Sequence, residues 1–368
     1  EKTKGLDWKA AAEALKNFGG EGGGLFIPEV KEEFARFARE VWQPLGPLFT
    51  SWQNVPRKVA AINSFAGNLY GNERWPTMGW LGQALISSGL PFDVLYDQSF
   101  AEDSQLLKDK KVVVLANTPA VTRIIFERLK AFAQQGGQIV ADEKCRVVGL
   151  PGMKVFSPEQ TEEATRFLQE HSGYSFVCRT PEVLWNLLEC AGARYLVAVN
   201  DRREYGPFLG RWQKVKDKGL PQEVTFTGWE PGQRIFDLLS SREIKRVPDG
   251  SFTFTLGPTE GRVLVALAAA PERLDLQVSP VSVSRGEKVK VMVSLTAATG
   301  KLAGAIPAGL LITEPSGKTH DRSTAILITG GQAVLEMVIP VNAEAGTWQL
   351  TVQERATGKK QSASFRVS

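Results

Sequence analysis

The sequence predicts a chain of several domains, a three-layer α/β unit followed by two all-β sandwiches, and three observations predict it. Apolar runs alternate with helical patterns through residues 59–142. From about residue 180 they give way to short alternating runs divided by turn residues, and after Pro271 seven short apolar runs recur at even spacing. A chain of 368 residues has room for several domains of roughly 100–150 residues. The divisions that follow are a helical lead at 1–56, an α/β domain at 57–178, an antiparallel sandwich at 179–270 and an immunoglobulin-like sandwich at 271–368.

The lead holds a helix over 8–18 capped by Asp7, a glycine-rich break at 19–24 and a second helix over 29–42. The glycine run has neither a Gly-Lys-Ser/Thr ending nor a preceding strand, so it reads as a linker and not a phosphate cradle. These helices carry too little apolar surface to form a domain. They are expected to dock on a neighbour through Trp42, Leu45, Leu48, Phe49 and Trp52.

Val59-Ala60-Ala61-Ile62 opens the α/β pattern, and a helix over 77–88 follows with Met78, Leu81, Leu85 and Ile86 at helical spacing before Gly89 stops it. Residues 92–96 read as a second strand. The third, 111–116, is so continuously apolar that both its faces must be covered, the mark of a central parallel strand. A helix over 122–134 turns Ile125, Leu129 and Phe132 inward, and Gly136-Gly137 caps it before a strand at 138–141. This succession with short turns points to a flavodoxin-like three-layer fold. Beyond Asp142 the alternation fades into a loop with Pro151-Gly152 and a helix over 158–171.

VAAINSFAGNLYG (59–71), GLPFDVLYD (89–97), KKVVVLANT (110–118) and ERLKAFAQQGGQIVADE (127–143) resemble the class I glutamine amidotransferase-like domain of family 42 type beta-galactosidases. In those enzymes the domain follows the catalytic barrel and supports trimer assembly, so the resemblance implies a scaffold role. A working amidotransferase needs a cysteine on a sharp strand-to-helix turn with a histidine in reach. The cysteines here are Cys145, Cys178 and Cys190. Cys145 lies nearest a strand end, but Lys144 and Arg146 flank it with bulk unsuited to such an elbow, although their charge is expected to lower its thiol pKa. The histidines, His171 and His320, read as solvated polar residues, and no catalytic residue, cofactor or metal is expected.

Residues 182–190 and 194–200 read as a hairpin turned at Ala191-Gly192-Ala193, and further strands follow at 223–229, 234–239, 251–256 and 262–267. RIFDLLSSREIKRVPDGSFTFTLGPTEGRVLVAL (234–267) looks like the beta domain that closes many glycoside hydrolases. After Pro271, strands at 274–278, 288–295, 309–313, 325–328, 333–339, 346–352 and 362–367 fit an immunoglobulin-like sandwich without a bridging cysteine pair, its core filled by Trp348. SPVSVSRGEKVKVMVSL, TEPSGKTH and AGTWQLTVQERATGKKQSASFRV resemble macroglobulin- or fibronectin-type modules of bacterial surface proteins.

Ligands of an open parallel sheet bind beyond the carboxyl ends of its strands. Those ends carry Asn63, Ser64, Asp97, Asn117, Thr118, Asp142 and Glu143, which serve either a ligand crevice or the capping of turns and helices. Asp142 and Glu143 are adjacent on one strand end and so point apart. The loop holding Tyr70, Arg74 and Trp75 is a candidate for sugar or partner contact, as are Trp212, in a basic insertion at 201–219, and Trp229.

A net charge of +4 spread over interrupted clusters argues against nucleic-acid binding, and no run approaches the ~20 apolar residues of a membrane helix. The chain opens on Glu1 without an apolar leader and reads as a piece of a longer polypeptide. The expectation is a non-catalytic accessory region of a larger, secreted or periplasmic carbohydrate-processing protein. Its partners would be the rest of that polypeptide and other copies of itself. Two alternatives stand beside it: a polysaccharide-binding module using Trp75 and Trp212, and a divergent amidotransferase-like hydrolase using Cys145 or Asp142 and Glu143.

Overall fold

The computed structural model describes residues 28–70, 79–206, 215–298 and 300–368. The helix expected at 8–18 and the glycine break lie outside the described residues. Helix α1 (Pro28–Phe37) runs through one π-helical turn, Ala38–Trp42, into α2 (Gln43–Phe49). Leu45 and Leu48 are fully buried, with Phe49 and Trp52 half-buried beside them. Trp42, expected on the same stripe, is instead 60% exposed. It sits one turn before the buried residues and keeps to the rim of the stripe, its ring edge-on to Phe49 with centroids 6.4 Å apart.

The α/β unit comprises β2 (Val59–Asn63), α3 (Phe65–Tyr70), α4 (Gly79–Ser87), β3 (Phe92–Tyr96), α5 (Asp97–Glu102), β4 (Val112–Leu115), α6 (Arg123–Gln134), β5 (Gln138–Asp142), β6 (Lys154–Phe156) and α7 (Thr161–His171). A short strand, β1 (Gln53–Asn54), precedes it. Strands β2 to β6 form one parallel sheet in the spatial order β3-β2-β4-β5-β6. Alternate residues of β2 and β4 serve opposite faces. Val59, Ala61, Val112 and Val114 pack under Leu81 and Leu85 of α4 and Phe167 and Leu168 of α7, whereas Ala60, Ile62, Val113 and Leu115 pack under Phe100 of α5 and Ile125 and Leu129 of α6. The result is three layers, as the uninterrupted apolarity of 111–116 requires.

The double glycine after α6 has two separate reasons. Gly136 takes φ +91°, the left-handed conformation that ends a helix, and a Cβ on Gly137 would lie 2.3 Å from the Phe132 ring. Strand β6, read from the sequence as loop, is a fifth, edge strand in which only Phe156 is buried.

The middle unit holds β7 (Val177–Cys178), β8 (Val183–Cys190), β9 (Ala193–Asn200), β12 (Gln222–Thr227), β13 (Arg234–Asp237), β14 (Arg242–Ile244), β15 (Phe252–Leu256) and β16 (Gly261–Leu267). A six-stranded sheet, β1-β8-β9-β16-β13-β14, faces a three-stranded one, β15-β12-β7. The aromatic core between them includes Phe176, Trp185, Phe226, Trp229 and Phe252. Trp229 is 4% exposed and stacks on Phe252 with centroids 4.8 Å apart, so it packs the core and offers no face to a sugar. The insertion at 201–219 is a hairpin arm where described, β10 (Arg203–Gly206) pairing antiparallel with β11 (Val215–Gly219).

The carboxy-terminal unit contains β17 (Pro271–Ser279), β18 (Ser282–Val283), β19 (Lys288–Ala297), β20 (Gly300–Lys301), β21 (Ala305–Thr313), β22 (Thr324–Thr329), β23 (Gln332–Val338), β24 (Gly346–Glu354) and β25 (Lys360–Val367). They close into a barrel-like sandwich around Trp348, which is 1% exposed. Its core is continuous with Leu45 and Leu48 of α2 and with Tyr195, Phe236, Val263 and Val265 on the outer face of the six-stranded sheet. The Tyr195 hydroxyl crosses this joint, accepting from the Ala305 amide and donating to the Ala305 carbonyl, each at 2.8 Å. No helix among the described residues is long and apolar enough to cross a membrane.

Candidate functional site

In the parallel sheet the chain turns outward in opposite directions from β2 and β4, and beyond their carboxyl ends is the place where the ligand crevice of such a sheet lies. Two side-chain ties flank it. On the β3–β2 side, the Ser64 hydroxyl donates to Asp97 Oδ1 at 3.1 Å and accepts from the Gly67 amide at 3.3 Å, while Asp97 Oδ2 accepts from the Phe65 amide. Asp97 and Ser64 together satisfy the first amides of α3. A Cβ on Gly67 would stand 2.9 Å from the Ala120 carbonyl oxygen, so only glycine lets α3 lie this close to the loop after β4.

On the β4–β5 side, Asn117 takes the left-handed conformation, φ +49°, and its amide donates to Asp142 Oδ2. Asp142 is 1% exposed, and its Oδ1 accepts from the Lys144 amide at 3.2 Å. Burial pushes the Asp142 pKa above the usual carboxylate value, aided by the neighbouring Glu143 charge and opposed by the Asn117 and Lys144 amides. Glu143 points the other way, outward, where its carboxylate accepts from Trp80 Nε1 of α4 at 2.8 Å. Asn63 Oδ1 accepts from Asn68 Nδ2, and the Thr118 hydroxyl donates back to the Ala116 carbonyl, both at 3.1 Å.

The structure thus joins Ser64 with Asp97 and Asn117 with Asp142, one pair on each side of the crevice, and sends Glu143 to a different face. The Trp80–Glu143 contact has no signature in the sequence, because residues 63 positions apart meet only through the fold. Cys145 follows Asp142 in a turn, its amide donating to the Asp142 carbonyl at 3.1 Å, and its side chain packs on the apolar cluster beneath α6. Burial pushes its thiol pKa up, with the Asp142 charge in the same direction, so the lowering expected from Lys144 and Arg146 does not occur. His171 stacks on Phe167 at the end of α7, and His320 packs against Trp348 in the carboxy-terminal unit, so neither imidazole accompanies Cys145. Among the described residues no group of three or more His, Cys, Asp or Glu side chains is arranged to hold a metal ion. The side chain of Tyr70, and Arg74, Trp75 and Trp212 entirely, lie outside the described residues.

Residues 285–367 match the MG2 domain family, so the carboxy-terminal sandwich carries an MG2 domain. No curated protein matches the chain. Among solved structures it is similar to an exo-carrageenase GH42 from Bacteroides ovatus, at 11% identity and a TM-score of 0.39 over 65% of this chain and 31% of that one. It is also similar to a catalytic mutant of Gan42B, a GH42 beta-galactosidase from G. stearothermophilus, at 12% identity and a TM-score of 0.44 over 65% and 44% of the two chains. A third similar structure is alpha-L-fucosidase isoenzyme 2 from Paenibacillus thiaminolyticus, at 11% identity and a TM-score of 0.45 over 67% and 53%. The chain spans between 31% and 53% of the length of these three proteins.

Proposed function

We propose that this chain is a non-catalytic scaffold within a larger, extracytoplasmic carbohydrate-processing protein, and that its α/β unit is a flavodoxin-like, glutamine amidotransferase-like domain that has kept the framework without the chemistry. The observation that carries this reading is that the polar strand ends are hydrogen-bonded to one another and to backbone amides. Ser64 and Asp97 are engaged in starting α3, Asp142 is engaged with the Asn117 and Lys144 amides, and Cys145 sits against apolar neighbours with its pKa raised. Groups spent on backbone amides are poorly placed to exchange protons with a substrate.

The strand order supports the fold assignment, since taken in chain order the five parallel strands stand 2-1-3-4-5, as in flavodoxin. The MG2 domain supports an extracytoplasmic setting. The resemblance of residues 59–143 to the amidotransferase-like domain of family 42 type beta-galactosidases supports the carbohydrate context, and the apolar seam that joins both sandwiches and α2 supports a rigid structural role. An antiserum raised against residues 179–368 tests this reading on fractionated source cells: a reactive polypeptide well beyond the size of 368 residues, in the extracytoplasmic fraction, is expected. A cytosolic polypeptide of 368 residues would overturn the proposal.

A further inference from the structure

A cavity of about 140 Å³ opens where the α/β unit meets the middle sandwich, at the end of the parallel sheet opposite the crevice. It is built by both chain crossings between the two units, Arg57 and Lys58 on the way in and Tyr174 on the way back, and closed by Trp185, Asn186 and Arg194 of the six-stranded sheet. Three cations therefore line it, and no carboxylate does among the described residues of its wall. Arg57 shares Asp93 with Lys110 and also donates to the Phe92 carbonyl and to Asn54 Oδ1, Arg194 pairs with Glu189, and among the described residues the Lys58 ammonium meets the Gly173 carbonyl and the Tyr174 ring. Neither Asp93 nor Glu189 lines the space itself.

Three cations around one space with no carboxylate in its described wall suit it to an acceptor with negative charge. A space of this size takes a phosphate, a sulfate or a short carboxylate with a water or two, at roughly 30 Å³ per water.

We propose that this joint binds a small oxyanion, free or as the acidic group of a larger molecule, held between Arg57, Lys58 and Arg194. Because the ligand touches both chain crossings and the sandwich, it ties the α/β unit to the rest of the molecule.

The test uses the full chain, titrated calorimetrically and by thermal unfolding with inorganic phosphate, sulfate, acetate and galacturonate, against potassium chloride at matched ionic strength. Saturable binding of at least one anion is expected, with an unfolding midpoint that rises with its concentration. Preference for phosphate or sulfate identifies a free dianion, and preference for galacturonate over acetate identifies the acid group of a sugar. Arg194→Gln, on a half-exposed side chain, is expected to weaken binding about tenfold or more. No saturable heat up to about 10 mM of any of the four anions, stabilisation no greater than potassium chloride gives, or equal binding by Arg194→Gln would overturn the proposal.

Discussion

Asp142 and Glu354 are both enclosed carboxylates that accept from backbone amides. The raised pKa of Asp142 means that the folded chain favours its protonated form. Its contribution to stability is therefore present below the unfolded pKa and is lost as the pH rises through the folded one. Asp142→Asn, uncharged throughout, is expected to cost less stability near about pH 7 than near about pH 4 in urea unfolding, and a larger cost near neutrality would show that the carboxylate is the favoured form. Glu354 is fully enclosed at the end of β24, where it accepts from the amides of Ala356, Thr357 and Lys359 and from the Thr357 hydroxyl, and so builds the turn into β25. Glu354→Ala strands those amides, and a loss of about 2–4 kcal/mol is expected from the shift in urea midpoint.

At the scale of elements, the aromatic core of the middle sandwich decides what Trp229 does. Its ring lies at 9° to that of Phe252 and also meets Phe176, at 5.3 Å between centroids. Trp229→Ala is expected to cost about 3–5 kcal/mol by denaturant unfolding, whereas a residue serving only as a sugar platform would leave stability nearly unchanged. Elements with a strong period were legible in the sequence: α6 from its apolar stripe and glycine cap, β4 from its continuous apolarity, and the seven main strands of the carboxy-terminal unit from their alternation. Elements held by tertiary pairing alone were not. Strand β6 buries only Phe156, and β1 has two exposed residues that pair with β8 across more than a hundred positions of sequence, so neither leaves a local pattern. The polar strand ends of the candidate site could be named from the sequence, but their partners, such as Asp97 for Ser64 and Trp80 for Glu143, required the fold.

Over the whole molecule, the two sandwiches and α2 share one apolar seam, which makes them a single mechanical body. Tyr195→Phe removes the hydroxyl that satisfies both the amide and the carbonyl of Ala305, and a loss of about 1–3 kcal/mol is expected, read as a lower midpoint for both sandwiches together. Separate transitions with only one displaced would contradict the shared seam. Whether the ties at the strand ends of the parallel sheet leave any thiol chemistry is read from the rate at which Cys145 in the full chain reacts with a glutamine-like chloroketone near neutral pH, followed by intact mass and peptide mapping. Labelling slower than that of free cysteine is expected, as a buried thiol with a raised pKa requires. Rapid, stoichiometric labelling of Cys145 that disappears in Asp142→Asn would contradict it.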